Sequence, residues 1–196
     1  MPFAVRFETD HERKDALAAV VAELISDDES LILDNGTTCY AVARQLVGRP
    51  LTTLALSLHS AAALASRPEG TVIVPGGPVE NDTLAFTGST AVDAIRDTRA
   101  DVVVIGACAA SPDHGLTSTT FDDARIKQAC LVSGTRRILV TTADKLTHTS
   151  TFRFGSPGDL TQLVTTADAP EYLLEIFRAE GVDVRTVPLD VDHIAV

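Results

Sequence analysis

Apolar positions along the chain change period repeatedly. Over residues 9–26, Ala16, Leu17, Val20, Val21, Leu24 and Ile25 recur at helical spacing among charged neighbours, which predicts a helix capped by Thr9 or Asp10. Leu31, Ile32 and Leu33 then form a short apolar run closed by Asp34, followed by the turn Asn35-Gly36-Thr37-Thr38. Helical spacing returns with Ala41, Val42 and Leu46 and stops at Gly48-Arg49-Pro50. The alternation continues, with strands predicted over 51–57, 71–75, 101–107, 136–142, 160–165 and 182–187, and helices over 60–67, 88–95, 121–132 and 170–180. Val102, Val103, Val104 and Ile105 are consecutive and β-branched with no polar alternation, the pattern of a strand buried on both faces. Residues 78–87, 108–120 and 147–158 carry no apolar period and are expected as loops or irregular chain, the first with room for a short ribbon.

Strands that alternate with helices assemble by right-handed crossovers, so the expected fold is α/β, a mostly parallel sheet with helices on both faces. A single domain spanning 1–196 is expected, and the length suffices to bury a full core. With 45% hydrophobic residues, no tryptophan and 5% aromatics, that core must come mainly from Ala, Val, Leu and Ile. The net charge of −11 repels nucleic acid and acidic membranes, so the chain is a poor candidate for contacting DNA by itself. Cys39, Cys108 and Cys130 are widely spaced and form no C-x-x-C pair, which signals neither a disulfide framework nor a zinc site. Neither a signal peptide nor an apolar run long enough to cross a bilayer is apparent, so a soluble cytoplasmic chain without metal or cofactor is expected.

In a parallel sheet the loops after the strands converge on one edge. That edge would collect Asp34, Asn35, Gly36, Thr37 and Thr38 after the first strand, Ser57 and His59 after the second, Gly76 and Gly77 after the third, Gly106 after the fourth and Lys145 after the fifth. The first of these loops has the makings of an anion site. Free amides of the first helical turn and the positive end of the helix dipole point at it, Gly36 permits close approach, and the threonines add hydroxyl donors. The simpler use of the same residues is that Thr37 or Thr38 caps the helix. Asp123 and Lys127, one helical turn apart, can pair on one helix face or meet a ligand. His114 lies in the loop after Gly106, and Cys39 opens a helix, where packing or reactivity are both open to it.

The succession Asp34-x-Gly36-Thr37-Thr38, Gly76-Gly77, Gly88, Ala100-Asp101 entering a strand that ends at Gly106, Gly115-Leu116-Thr117, Asp123-x-x-x-Lys127 and Lys145 resembles the carboxyl-terminal effector domain of DeoR-family transcriptional regulators. The resemblance runs from about Arg6 to Val187. It implies a fold similar to ribose-5-phosphate isomerase and glucosamine-6-phosphate deaminase, and a phosphorylated sugar or related small anionic metabolite as ligand. By the same resemblance, residues 35–38 would form the phosphate loop and Asp34 would face the sugar hydroxyls or hold the loop. Gly76 and Gly77 would shape a second wall, and Lys145 stands at the family's lysine. Asp123 stands where the family commonly has Glu, while Ala55-Leu56, Pro78 and Thr142 depart from its pattern.

A sensing domain without catalytic residues therefore leads, expected as a dimer or tetramer, with DNA bound only through a helix-turn-helix that this sequence does not include. Residues 1–8 are expected as a linker to that domain. The alternative is a sugar-phosphate isomerase or deaminase, for which Asp34, Asp123 and Lys145 could supply a base and a stabilising charge.

Overall fold

A computed structural model describes residues 3–111 and 114–188. Helices α1 (Phe3–Glu8) and α2 (His11–Glu23) precede β1 (Ser30–Leu33), α3 (Thr37–Gln45), β2 (Thr52–Ala55), α4 (Leu58–Leu64), β3 (Thr71–Ile73) and α5 (Gly88–Arg96). The chain continues through β4 (Ala100–Gly106), β5 (Ala109–Ser111), β6 (Gly115–Ser118), α6 (Phe121–Ser133), β7 (Gly134–Thr141), β8 (Phe152–Gly155), β9 (Gln162–Thr166), α7 (Glu171–Ala179) and β10 (Asp183–Val187). Short 3-10 turns occupy Ala143–Thr147 and Pro157–Asp159.

Seven strands form one sheet in the order β10-β9-β7-β4-β1-β2-β3, and every neighbouring pair in it is parallel. The order reverses beside β1, so the crevice at its carboxyl end is where ligands bind in sheets of this kind. Alternate residues of the central strands feed two separate cores. Ile32, Val103, Ile105 and Leu139 pack under α5, α6 and α7, whereas Leu31, Leu33, Val102, Val104 and Ile138 pack under α2, α3 and Leu64 of α4. Val102 through Ile105 are all fully buried, as the unbroken β-branched run requires. Each large aliphatic side chain sealed in this way stabilises the fold by about 1.5–3 kcal/mol. At Gly134 a Cβ would overlap the Val103 side chain, so β7 opens on a glycine beside β4.

Two stretches expected without regular structure are strands. β5 and β6 lie in 108–120, β8 lies in 147–158, and the three form a small antiparallel sheet in the order β5-β6-β8. They are three or four residues long, and β5 and β6 are mostly Ala, Ser, Thr and Gly and show no apolar alternation. The alternation Phe152-Arg153-Phe154 in β8 is too short to mark a strand, and β8 pairs with β6 across more than thirty residues of sequence. Residues 3–8, expected as a linker, form α1. Asp10 holds the cap position of α2 in the left-handed region at φ 54° but makes no side-chain capping bond, and the Thr9 hydroxyl donates instead to the Val5 carbonyl at 2.8 Å.

Candidate functional site

Helix α3 begins without the threonine cap that its sequence allows. Gly36 occupies the cap position at φ 102° and ψ 166°, and among the described residues no side chain accepts from the first-turn amides. The amides of residues 37–39 are therefore free for an acceptor from outside the chain, and the helix dipole adds positive potential there. A Cβ at Gly36 would meet nothing within 4 Å, so glycine is needed for its dihedral angle and not for space.

This helix end opens on a cavity of about 540 Å³ at the carboxyl edge of the sheet. Asn35, Gly36, Thr37, Thr38, Gly106, Lys127 and Lys145, all expected from the sequence, line it. Arg6, Lys14, Thr119, Thr141 and Thr142 line it as well.

Below the loop lies a sealed ionic cluster. Asp34 is fully buried, and its Oδ2 accepts from the Gly106 amide at 3.0 Å and from Lys127 Nζ at 2.5 Å. Lys127 Nζ also lies 3.1 Å from Asp123 Oδ1. Asn35 Nδ2 donates to Asp123 Oδ1 at 2.9 Å, and Ser118 Oγ donates to Asp123 Oδ2 at 2.5 Å. Asp34 thus ties β1 to β4 and holds the loop, and solvent does not reach it to present it to a ligand. Asp123, from α6, reaches Asn35 across the crevice. The antiparallel strand β6 contributes Ser118, a member of the cluster that the sequence reading missed.

Burial shapes the protonation of all three charged groups. It raises the Asp34 pKa, more than the Lys127 ammonium lowers it. Burial also pushes Asp123 upward, but Lys127 and the bonds from Ser118 and Asn35 outweigh it and hold the carboxyl below its usual range. For Lys127 burial works against the charge, yet Asp123 and Asp34 together raise its pKa well above that of a free lysine. Lys127 is therefore a fixed cation, and its lysine-to-carboxylate bonds brace the floor of the cavity.

Lys14 is the main omission of the sequence reading. Its Nζ donates to the Thr9 carbonyl at 2.6 Å and to the Arg6 carbonyl, and it faces the cavity with Lys145 and Arg6. Burial lowers its pKa, and repulsion from Lys145 and Arg6 adds to that against the attraction of Asp10 and Asp144. The signal was present, because Lys14 stands at i, with Leu17, Ala18 and Val21 at i+3, i+4 and i+7 on the buried stripe of α2.

Four expected residues lie apart from the cavity. Ser57 caps α4, accepting from the Ser60 amide at 3.2 Å. His59 stacks on Phe3 with ring centroids 3.9 Å apart, and burial lowers its pKa. Gly76 and Gly77 take φ of 76° and 85°, and Gly77 sits so close to Thr90 of α5 that a Cβ would come within 3.1 Å of the threonine Cβ. Their loop turns toward α5, away from the α3 terminus. His114 is exposed and outside the cavity lining. Cys39 is fully buried, and burial pushes its thiol well up, so it is a packing residue. Among the described residues no cluster of His, Cys, Asp and Glu could hold a metal ion, and no helix is long and apolar enough to cross a membrane.

The fold is shared with solved structures of low sequence identity. A D-ribose-5-phosphate isomerase solved with phospho-erythronic acid aligns at TM-score 0.51 and 15% identity, over 69% of this chain and 54% of its own. The eIF2B beta subunit of Chaetomium thermophilum aligns at 0.54 and 14% identity, over 93% of this chain and 55% of its own. Two curated relatives are the glycerol-3-phosphate regulon repressor of Haemophilus influenzae, 28% identical, and the HTH-type transcriptional repressor GlcR of Bacillus subtilis, 23% identical. Their alignments cover 86% and 96% of this chain but 66% and 72% of the relatives, so the chain spans about two thirds of their length. The family model described as the DeoR C terminal sensor domain matches residues 9–167, and the chain belongs to that family.

Proposed function

We propose that this chain, 1–196, is the ligand-sensing domain of a transcriptional regulator, and that a phosphorylated sugar or related metabolite in the cavity alters DNA binding made elsewhere in the regulator. The observation that carries the reading is the uncapped amino terminus of α3, with its amides open to the cavity beside Lys14 and Lys145. Amides, a helix dipole and two ammonium groups together suit a phosphate monoester. The cavity falls within the usual range for small-molecule sites, with room for a sugar beyond the phosphate. Relatives named as repressors, one of them of a glycerol-3-phosphate regulon, support the same reading. Repression is the proposed direction. The acidic net charge of −11 agrees with DNA contacts made by another part of the regulator.

The isomerase or deaminase reading has the shared fold in its favour, but the side chains here favour binding. Asp34 is sealed, Lys127 is held as a cation and Asp123 spends its oxygens on Lys127, Asn35 and Ser118. Neither Asp34 nor Asp123 is left as a base with access to a bound sugar, so Lys145 on the cavity wall would supply a stabilising charge with no base beside it. Assembly into a dimer or tetramer is part of the proposal, supported by Phe121, Val132 and Tyr172, which are 60%, 78% and 66% exposed.

The test is a thermal-shift panel of phosphorylated sugars with their free sugars, including glycerol 3-phosphate, fructose 1-phosphate and glucosamine 6-phosphate. Ligands that bind only the native state raise Tm, so a shift with phosphorylated compounds and none with free sugars is expected. No shift with any of them would overturn the sensor reading, and turnover of ribose 5-phosphate or glucosamine 6-phosphate would install the enzyme reading in its place.

A further inference from the structure

One donor in the cavity wall has no acceptor. Arg6, in the last turn of α1, lines the cavity, and its Nε is buried with no hydrogen-bond partner among the described residues. Buried guanidinium N–H groups are rarely left unpaired, and their fork geometry matches the oxygens of phosphate or carboxylate. Lys14 and Lys145 line the same cavity, so an anion that met Arg6 would also relieve the crowding of three cations.

α1 is joined to the phosphate-facing helix by side chains. Phe7 meets Tyr40 of α3 edge-on at 5.2 Å, and Phe3 meets the same ring at 5.8 Å while stacking on His59 of α4. Lys14 Nζ holds the Arg6 and Thr9 carbonyls at the end of α1. Tyr40 lies one turn beyond Thr37, so α1 rests on the helix whose first turn faces the cavity. We infer that Arg6 binds the anionic group of the ligand directly, and that ligand occupancy thereby fixes α1 against α3. The inference rests on the reading of the cavity as a site for a phosphorylated metabolite. It adds a contact from α1, and it makes α1 the element whose order reports occupancy.

Hydrogen exchange on the full 196-residue chain separates the two claims, with glycerol 3-phosphate, fructose 1-phosphate, glucosamine 6-phosphate and inorganic phosphate as probes. The amides of residues 37–39 report the α3 terminus, and those of residues 3–9 report α1. A probe that slows exchange at 37–39 should slow it about tenfold in α1 of the wild type, the factor expected of one charge-assisted contact. Arg6→Gln should keep the slowing at 37–39, lose it in α1 and weaken the Kd of that probe about tenfold. Arg6→Lys, which keeps the charge without Nε, should recover part of the α1 protection. Slowing at 37–39 with no change in α1, or equal slowing of α1 in wild type and Arg6→Gln, overturns the role of Arg6 and leaves the cavity reading standing. No slowing at 37–39 by any probe overturns both.

Discussion

Lys127 Nζ lies 2.5 Å from Asp34 Oδ2, in a place where the two side chains are 3% and 0% exposed. An ammonium and a carboxylate sealed this completely are stable only as a pair, because each would be severely desolvated alone. The pair joins α6 to the end of β1, so the floor of the cavity and the core of the sheet share one electrostatic joint.

Lys127→Met keeps the length of the side chain and removes its charge. It leaves Asp34 and Asp123 buried side by side with no cation between them. Removing one partner of a buried ion pair costs about 3–5 kcal/mol. In a chain of this size Tm should fall by roughly 10 °C. Equilibrium urea unfolding measures the loss, and a change under about 1 kcal/mol would show that the pair contributes nothing to the fold.

Asp123 makes stability depend on acid. Burial pushes its pKa up, but Lys127, Ser118 and Asn35 hold the folded value below the ordinary 3.8. As pH falls, the unfolded chain takes up this proton first, at about 3.8. The stabilisation is therefore complete above 3.8 and is lost as pH drops through the lower folded value. Asp123→Asn removes that contribution, so the gap in unfolding free energy between wild type and variant should be widest at neutral pH and narrow below 3.8. Urea titrations at neutral pH and at successively lower pH test this, and a gap that stays constant would assign the effect to packing alone.

Gly36 carries a conformational requirement with no steric one. Its φ of 102° is rarely adopted by residues with a Cβ, although the space around it is empty. Gly36→Ala should cost about 1–3 kcal/mol by strain. The loop would relax toward negative φ and turn the amides of residues 37–39 away from the cavity. Binding of any phosphorylated sugar found in the thermal-shift panel should then weaken about tenfold or more, well beyond the effect on free sugars. Unchanged affinity would mean that the phosphate sits elsewhere in the cavity.

Much of this was legible because the parallel sheet writes itself into the chain as apolar runs. The fully buried run from Val102 to Ile105 is the clearest case, and the turn Asn35-Gly36 fell at the end of the strand that the apolar run predicts. Strands β5 and β6 were not legible, since small and hydroxyl side chains carry no alternation, and β8 was not because its Phe152-Arg153-Phe154 alternation is only three residues long and its pairing with β6 is decided by distant chain. The site divided along similar lines. Residues on loops after β1 and β4 could be placed by topology alone. Ser57, His59, Gly76 and Gly77 follow β2 and β3, which lie toward the sheet edge, and there local capping and packing claimed them. For Asp34 the sequence allows either a ligand contact or a brace for the loop, and only the fold shows it fully buried and bonded to the Gly106 amide.

Lys14 offers the sharpest separation of binding from stability. It sits in line with Leu17, Ala18 and Val21, at a position that packing alone would fill with an apolar residue. Burial lowers its pKa, so its charge is held at a cost to the empty protein. What it gains there are bonds to the Arg6 and Thr9 carbonyls and a place on the cavity wall. Lys14→Gln relieves the desolvated charge while keeping a donor for those carbonyls. The stability of the empty protein should therefore change by less than about 1 kcal/mol, within the usual range for partly exposed substitutions. Affinity for a phosphorylated sugar should fall about tenfold to a hundredfold through loss of a charge-assisted contact, and its dependence on salt should flatten. Isothermal titration at two ionic strengths, beside urea unfolding of the same variant, reads both quantities. A variant that binds as tightly as wild type would remove Lys14 from the site, and one that loses stability in step with affinity would make it a residue of the fold.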